Sequence, residues 1–317
     1  MAEPGGTVVV VGSINIDHVV EADAFPAPGE TILGTAVRSA VGGKGANQAV
    51  AAALSGARVN MVACIGDDDA GQSALAALTR RGVDVDAVRT AIDRPTGTAW
   101  ITVAEHDNTI VVVPGANEDW PSDWPAGDPG AMRALDTADV VLAQLEVPIA
   151  VVSAVAAARR GRFVLNAAPA AVLPDSLLQA CDVLVVNEHE LATMARAADH
   201  DLQDGSSIDA VTVTHEALRA RGVGAVVTTL GARGAVLTDE HGTTAVPSPP
   251  AEVVDTTGAG DAFTGVLGAR LAADATLVDA VRWAAVAGSL AVRAAGTHES
   301  YPDVAALAAA VDVAEAT

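Results

Sequence analysis

Apolar and polar positions along the chain fall into two regimes. Up to Val113 short β-branched runs dominate: Thr7 to Val11, the extended stretch 14–20, Thr31 to Val41, Val59 to Ile65, Thr98 to Val103 and Thr109 to Val113. Thr7 to Val11 is a continuous apolar run of the kind buried in a parallel sheet. The segments 14–20, 31–41 and 98–113 lack intervening helices of their own and predict a small sheet apart from the main body. Residues 105–108 read as its hairpin turn, with His106 solvated there, and residues 25–30 as a second turn. Ala-rich helices are expected to about Ser55 and from near Ala70.

After a Pro/Asp-rich loop at 117–130, whose two Trp residues are expected to pack, strands and helices alternate. Strands are expected at 140–145, 163–165, 183–186, 225–228 and 242–246, a polar surface loop at 199–209, and helix from there to about Arg221. The last third is helical, to about Ala273 and beyond, with a break at 294–300. This order predicts an α/β fold: an open, mostly parallel sheet flanked by helices, with a small β-sheet lid. No repeat or linker divides the chain, so residues 1–317 are expected to form a single domain.

Polar residues recur where the apolar strands end: Glu146, Asn166, Asn187 with Glu190, and the run Thr229 to Gly234. In open α/β sheets that edge binds ligands, and four such ends in series imply a shared cleft. Two glycine-rich stretches add chemistry. Gly42-Gly43-Lys44-Gly45-Ala46-Asn47-Gln48 precedes a helix and carries the only lysine of the chain. A composition that otherwise uses arginine argues for an ammonium point charge at that place.

Asp255-Thr256-Thr257-Gly258-Ala259-Gly260-Asp261 also opens a helix, with Thr256 or Thr257 as its cap. Unpaired N–H groups at a nearly side-chain-free helix start make an anion site, and a carboxylate beside it fits a base for phosphoryl transfer. The same residues also fit an ordinary capped helix with an acidic first turn. Asn15 and Asp17, if extended, project to one side and suit adjacent sugar hydroxyls, or a solvated strand end. Gly66-Asp67-Asp68-Asp69 fits a helix cap or a metal site.

Composition changes the picture in three ways. A net charge of −22 argues against nucleic acid or an anionic membrane as partner. The acid excess fits adaptation to concentrated salt, while arginine in place of lysine also fits codon bias. No apolar run approaches ~18 residues and no cleavable leader pattern is present, which reads as soluble and cytoplasmic. Cys64 and Cys181 lie in apolar runs and are expected as buried thiols.

With both glycine motifs in order and Asn187-x-x-Glu190 between them, the chain resembles the ribokinase-like carbohydrate kinase family over residues 7 to 302. The resemblance implies phosphoryl transfer from ATP to the terminal hydroxyl of D-ribose. Other outcomes are a kinase for deoxyribose, fructose or a nucleoside, or a catalytically inactive sugar-binding relative. Aromatics at 3% disfavour a platform for a nucleoside base.

By the same resemblance Asp261 is the base, and Gly258, Ala259 and Gly260 form an anion hole. Asn15, Asp17, Gly43, Lys44, Asn47 and Glu146 hold the sugar, and Asn187, Thr229, Gly231, Gly234 and Gly260 contact ATP. Glu190 is tied to Mg²⁺, while Asp255, Thr257, Ala291, Ala294, Gly296 and Ser300 form a site for K⁺. The small sheet would close over the sugar and join a homodimer. Ala285 stands where some relatives place a polar residue near the adenine.

Overall fold

The computed structural model describes residues 5–105, 107–196 and 205–315. His106, and residues 199–204 of the expected surface loop, lie outside these. In chain order the first half comprises β1 (Thr7–Val11), β2 (Asn15–Glu21), β3 (Ala36–Gly42), α1 (Lys44–Leu54), β4 (Arg58–Gly66) and α2 (Asp69–Arg80). It continues with β5 (Val83–Ala91), β6 (Gly97–Ala104), β7 (Asp107–Val113), α3 (Pro129–Thr137), β8 (Val140–Ala143) and α4 (Ile149–Ala158). The second half comprises β9 (Arg162–Asn166), α5 (Asp175–Ala180), β10 (Val183–Asn187), α6 (Glu188–Arg196), α7 (Ile208–Ala220) and β11 (Ala225–Thr229). It ends with β12 (Ala235–Asp239), β13 (Gly242–Val246), α8 (Ala259–Ala272), α9 (Leu277–Ala291) and α10 (Val304–Glu315).

Nine strands form the main sheet in the order β13-β12-β11-β10-β9-β8-β1-β4-β5, parallel except for antiparallel β12 and β13 at one edge. The strand β1 shows why this sheet is central. Val8 and Val10 pack into one apolar cluster with α1, α8 and α9, while Val9 and Val11 enter the cluster on the opposite face. From β1 the chain runs outward to β4 and β5, then returns on the other side of β1 as β8. The carboxyl ends of β1 and β8 therefore flank a topological switch point.

The second sheet, in the order β3-β2-β6-β7, is the expected small sheet. Three details differ from the sequence-based expectation. β3 begins at Ala36 and not Thr31, because Thr35 bonds back to Glu21 as a turn and only then does the ladder start. The strand β8 ends at Ala143, since Leu145 N turns away to Ala168 O. β5 and β12 were not foreseen: β5 interleaves acidic residues with small apolar ones, and β12 follows β11 after a tight 3-10 turn. At the acidic run 67–69, Asp68 caps α2 by accepting from Gly71 N at 2.8 Å. Both cysteines are buried free thiols, and Trp120 packs edge-on against Trp124.

Candidate active site

The helix α8 is not capped by Thr256 or Thr257. Its N-cap is Gly258, at φ 75°, with no side-chain cap. That left-handed conformation favours glycine, and a Cβ there would meet Tyr301 Oη at 2.5 Å. The turn has a chemical consequence. Ala259 N bonds to Thr256 O and Ala262 N to Gly258 O, which leaves the amides of Gly260 and Asp261 unpaired among the described residues. A Cβ on Gly260 would meet nothing within 4 Å, so this helix start opens onto free space. Such an end binds anions.

Asp261 follows on the same turn and is buried. Its Oδ2 accepts from Asn47 Nδ2 and its Oδ1 from Gln48 Nε2, each at 3.0 Å. Small residues make this contact possible. A Cβ on Gly265 of α8 would stand 2.5 Å from Gln48 O of α1, so the two helices touch through their backbones. The two glycine motifs, more than two hundred residues apart in sequence, thus meet at one carboxylate.

Around this point the structure gathers the residues expected to hold a sugar. Asn15 pairs with Gly42 across the β2–β3 ladder, which sets the start of β2 beside the first glycine motif. Glu146 Oε2 accepts from Lys44 N at 2.9 Å and from Ser13 Oγ at 2.5 Å, a bridge across the switch point. Burial, and then the charges of Glu146 and Asp261, push the Asp17 carboxyl up to about 6 against the pull of Arg38. Asp261, ahead of Glu146 and Glu190, holds the Lys44 ammonium above its ordinary value despite burial. A cavity of about 370 Å³ reaches this cluster at Asn15 and Glu146, and Val112 of β7 closes it from the small sheet.

A second cavity, of about 500 Å³, lies on the other side of the α8 N-terminus. Thr229, Gly231, Gly234, Gly260, Phe263 and Ala285 line it. Its walls are small and apolar around Ala285, as suits a flat heterocycle held by shape. Asn187 and Glu190 do not line it. Their side chains bond each other's backbones, Asn187 Oδ1 from Glu190 N and Glu190 Oε2 from Asn187 N, both at 2.8 Å, and so cap α6 reciprocally. Burial raises the Glu190 carboxyl, while the Asn187 amide and the Lys44 charge lower it. One Glu190 oxygen and the Asn187 amide nitrogen remain for a ligand.

At the end of α9, Asp255 accepts from Thr257 N at 2.9 Å and from Gly296 N at 3.0 Å. Its carboxyl is pushed up by burial but ends below its ordinary value through these bonds and Arg38. Ala291 closes α9, and Ala294, Gly296 and Ser300 follow in the turn, where Ser300 Oγ donates to Thr297 O. No group of three or more His, Cys, Asp or Glu among the described residues could hold a metal ion. A cation in this turn would rest on the Asp255 carboxylate and main-chain oxygens, a set that fits a large monovalent ion, with the Glu299 carboxylate close to Gly296.

Sequence reasoning missed several contributors. Asn117, read as loop, donates to Asn15 Oδ1 at 2.7 Å and holds both the N–H and the C=O of Ile14. Gln144 donates to Gln48 Oε1 at 2.7 Å, and His298 lies 3.0 Å from Asn47 Oδ1. Only a three-dimensional arrangement reveals such partners, because each lies about a hundred residues or more from its mate.

The family model for pfkB family carbohydrate kinases matches residues 6–304. The chain is 36% identical to the ribokinase of Haemophilus influenzae over 93% of this chain and 95% of that protein. It is 37% identical to the ribokinase of Bacillus subtilis, over 93% and 96%. Among solved structures it is similar to Arabidopsis thaliana ribokinase complexed with ribose and ATP, at TM-score 0.89 and 30% identity, covering 97% and 99%.

Proposed function

The chain belongs to the pfkB family of carbohydrate kinases, and we propose that it transfers the γ-phosphoryl group of ATP to the terminal hydroxyl of D-ribose. One observation carries this reading. Asp261 sits buried at a helix start whose two amides, its own and that of Gly260, are unpaired among the described residues, between a cavity fit for a nucleotide and a cluster of sugar-type hydrogen-bonding groups. Asn15, Asp17, Asn47 and Glu146 would orient the sugar, with the Lys44 ammonium beside Asp261, Glu146 and Glu190 and Arg38 acting on Asp17.

Asp261 would take the proton of the attacking hydroxyl. As the new O–P bond forms, the bond from the γ-phosphorus to the bridging oxygen breaks, ADP departs, and the proton stays on Asp261 until released to water. The amides of Gly260 and Asp261 would face the charge on the transferring group. Mg²⁺, held near Glu190, would neutralise phosphate charge, and a monovalent cation beside Asp255 would steady the loop into α8.

The small sheet is proposed as a lid. The strand β7 is exposed along its whole length, and Ile110, Val111, Val112 and Val113 with Trp100 and Val37 leave apolar surface suited to a second copy. No helix of the described residues is long and apolar enough to cross a membrane. The acid excess is read as adaptation to a salty medium.

The deciding experiment is a phosphorylation screen over ribose, deoxyribose, fructose, other hexoses and nucleosides with ATP, Mg²⁺ and concentrated KCl. D-Ribose should give the highest kcat/KM, and ribose 5-phosphate should be the product. Preference for a nucleoside or hexose, or no phosphorylation at all, would overturn the assignment.

A further inference from the structure

The base carboxylate is held by two amides whose own orientations are fixed from behind. Gln48 Nε2 donates one hydrogen to Asp261 Oδ1 and the other to Asn166 Oδ1, both at 3.0 Å. Its Oε1 accepts from Gln144 Nε2. Turning the Gln48 amide over would set its oxygen against two acceptors and its nitrogen against the Gln144 nitrogen. Asn166 is pinned in turn, donating to Val185 O at 3.2 Å. Both N–H groups of the Gln48 amide and its oxygen thereby have partners.

Asn47 repeats the pattern on the other carboxylate oxygen. Its Nδ2 faces Asp261 Oδ2, so its Oδ1 must face His298, which then donates through Nε2–H. Reversing Asn47 would bring two oxygens together. Gln48 and Gln144 are fully buried, and His298 nearly so, so water does not compete for these bonds. Buried side-chain networks are costly unless satisfied, and here the Gln48, Asn47 and Asn166 amides all find partners, while Gln144 Oε1 is left without one among the described residues.

We infer that Gln48 and His298 are positioning residues for the proposed reaction: with Asn47 between His298 and the carboxylate, they fix the plane of Asp261 and keep both of its oxygens as acceptors toward the sugar hydroxyl. Rotation of the carboxylate about its Cβ–Cγ bond would break both amide contacts at once. The bound Asn47 retains one N–H, so it can serve the sugar as a donor while its oxygen stays with His298. This inference rests on the phosphoryl-transfer reading, and it concerns orientation of the base and not substrate affinity.

The test compares Gln48→Leu, His298→Leu and His298→Gln with the full-length wild type. Turnover with ribose would be measured beside calorimetric binding of ribose and of a non-hydrolysable ATP analogue. The two leucine variants should lose ~10-fold or more in kcat, with both dissociation constants within about threefold of wild type. His298→Gln, which restores an N–H donor, should recover most of the turnover.

Because Gln48 acts through Asp261, Gln48→Leu combined with Asp261→Asn should be no slower than Asp261→Asn alone. Folded leucine variants with wild-type kcat, or a glutamine variant no better than leucine, would overturn the inference. If either leucine variant fails to fold, Gln144→Met frees the Gln48 amide without removing it. A lowered kcat at unchanged affinity is then expected, and an unchanged kcat overturns the role. A wild-type protein that phosphorylates nothing would remove the reaction itself, whereas an active wild type with indifferent variants removes only this inference.

Discussion

Asp17 lies so close over Gly42 that a Cβ built on the glycine would stand 2.0 Å from Asp17 Oδ2. The two are diagonal neighbours across an antiparallel ladder in which Asp17 pairs with Ala40. The first glycine motif is thus shaped around the Asp17 carboxylate, the proposed acceptor for the sugar. Asp17→Ala should raise KM for ribose by ~5- to 150-fold, the equivalent of ~1–3 kcal/mol for stranding hydroxyls in a closed site. Gly42→Ala should push the carboxylate aside and act in the same direction. KM for ATP should hardly change, and equal losses for both substrates would indicate a folding defect.

The same carboxyl supplies a pH signature. Burial, with Glu146 and Asp261 nearby, raises it to about 6. Below that pH it is increasingly protonated, one oxygen becomes a donor, and its acceptor capacity toward sugar hydroxyls falls. Accordingly kcat/KM for ribose should decline as pH falls through about 6, and Asp17→Asn should lack that limb. An identical limb in the variant would assign the titration to another group.

His215 gives a stability signature of known sign. It is fully buried between Thr238 Oγ1 at 2.8 Å and Thr228 Oγ1 at 2.7 Å, and burial pushes its pKa down to about 4. The unfolded chain takes up this proton near pH ~6.5, so between the two values the unfolded state binds more protons. The stabilisation is complete above the unfolded value and is lost as pH falls toward the folded one, by at most ~1.4 kcal/mol per pH unit. His298 is lowered in the same direction, also first by burial, whereas Asp17 is raised and opposes them. Removing His215 by His215→Gln should therefore shrink the stability lost between pH 7 and 5 by up to ~2 kcal/mol in urea titrations. An unchanged pH dependence would contradict a neutral buried imidazole.

The charge of −22 leads to a third kind of test. Carboxylates crowded on one surface repel, and at ~1 M salt the screening length shrinks to ~3 Å. The melting temperature should rise markedly from low to molar KCl. A flat response would leave codon bias as the reason for the composition.

Much of the architecture was legible because it rests on period and punctuation. The run Thr7 to Val11 could only be a strand buried on both faces, and the glycines at 42–45 and 258–260 marked close backbone approach. Where side chains carried mixed signals the reading failed. Asp84 and Asp86 disguise β5, whose outer face is wet, and the tight turn at 231–233 hides β12 behind β11. The cap of α8 differs from the expectation because threonines are good caps, whereas here the turn takes the left-handed conformation at the glycine that follows them. Within the site, residues on the glycine motifs were readable, but Asn117, Gln144 and His298 act on partners brought near only by folding.

A last prediction concerns the turn after α9. Asp255 joins two segments: its Oδ1 caps Thr257 N, and its Oδ2 takes Gly296 N from the turn. The same turn reaches the α8 N-cap from the far side, where Tyr301 Oη donates to Gly258 O at 3.0 Å. The Gly258 to Asp261 segment is therefore held by Tyr301 at its N-cap and, through Thr257, by Asp255. One carboxylate with carbonyls from a broken helix end suits a hard, weakly hydrated cation, since no second acidic ligand is needed. Ordering this turn should tighten the alignment of the Gly260 and Asp261 amides, so it should act on kcat more than on KM for ribose. To separate an ion from ionic strength, activity would be compared at fixed total salt in KCl, NaCl and tetramethylammonium chloride. K⁺ is expected to give the highest kcat, and Asp255→Ala is expected to abolish the difference between salts. Equal kcat in all three salts would reduce the turn to a helix break held by hydrogen bonds alone.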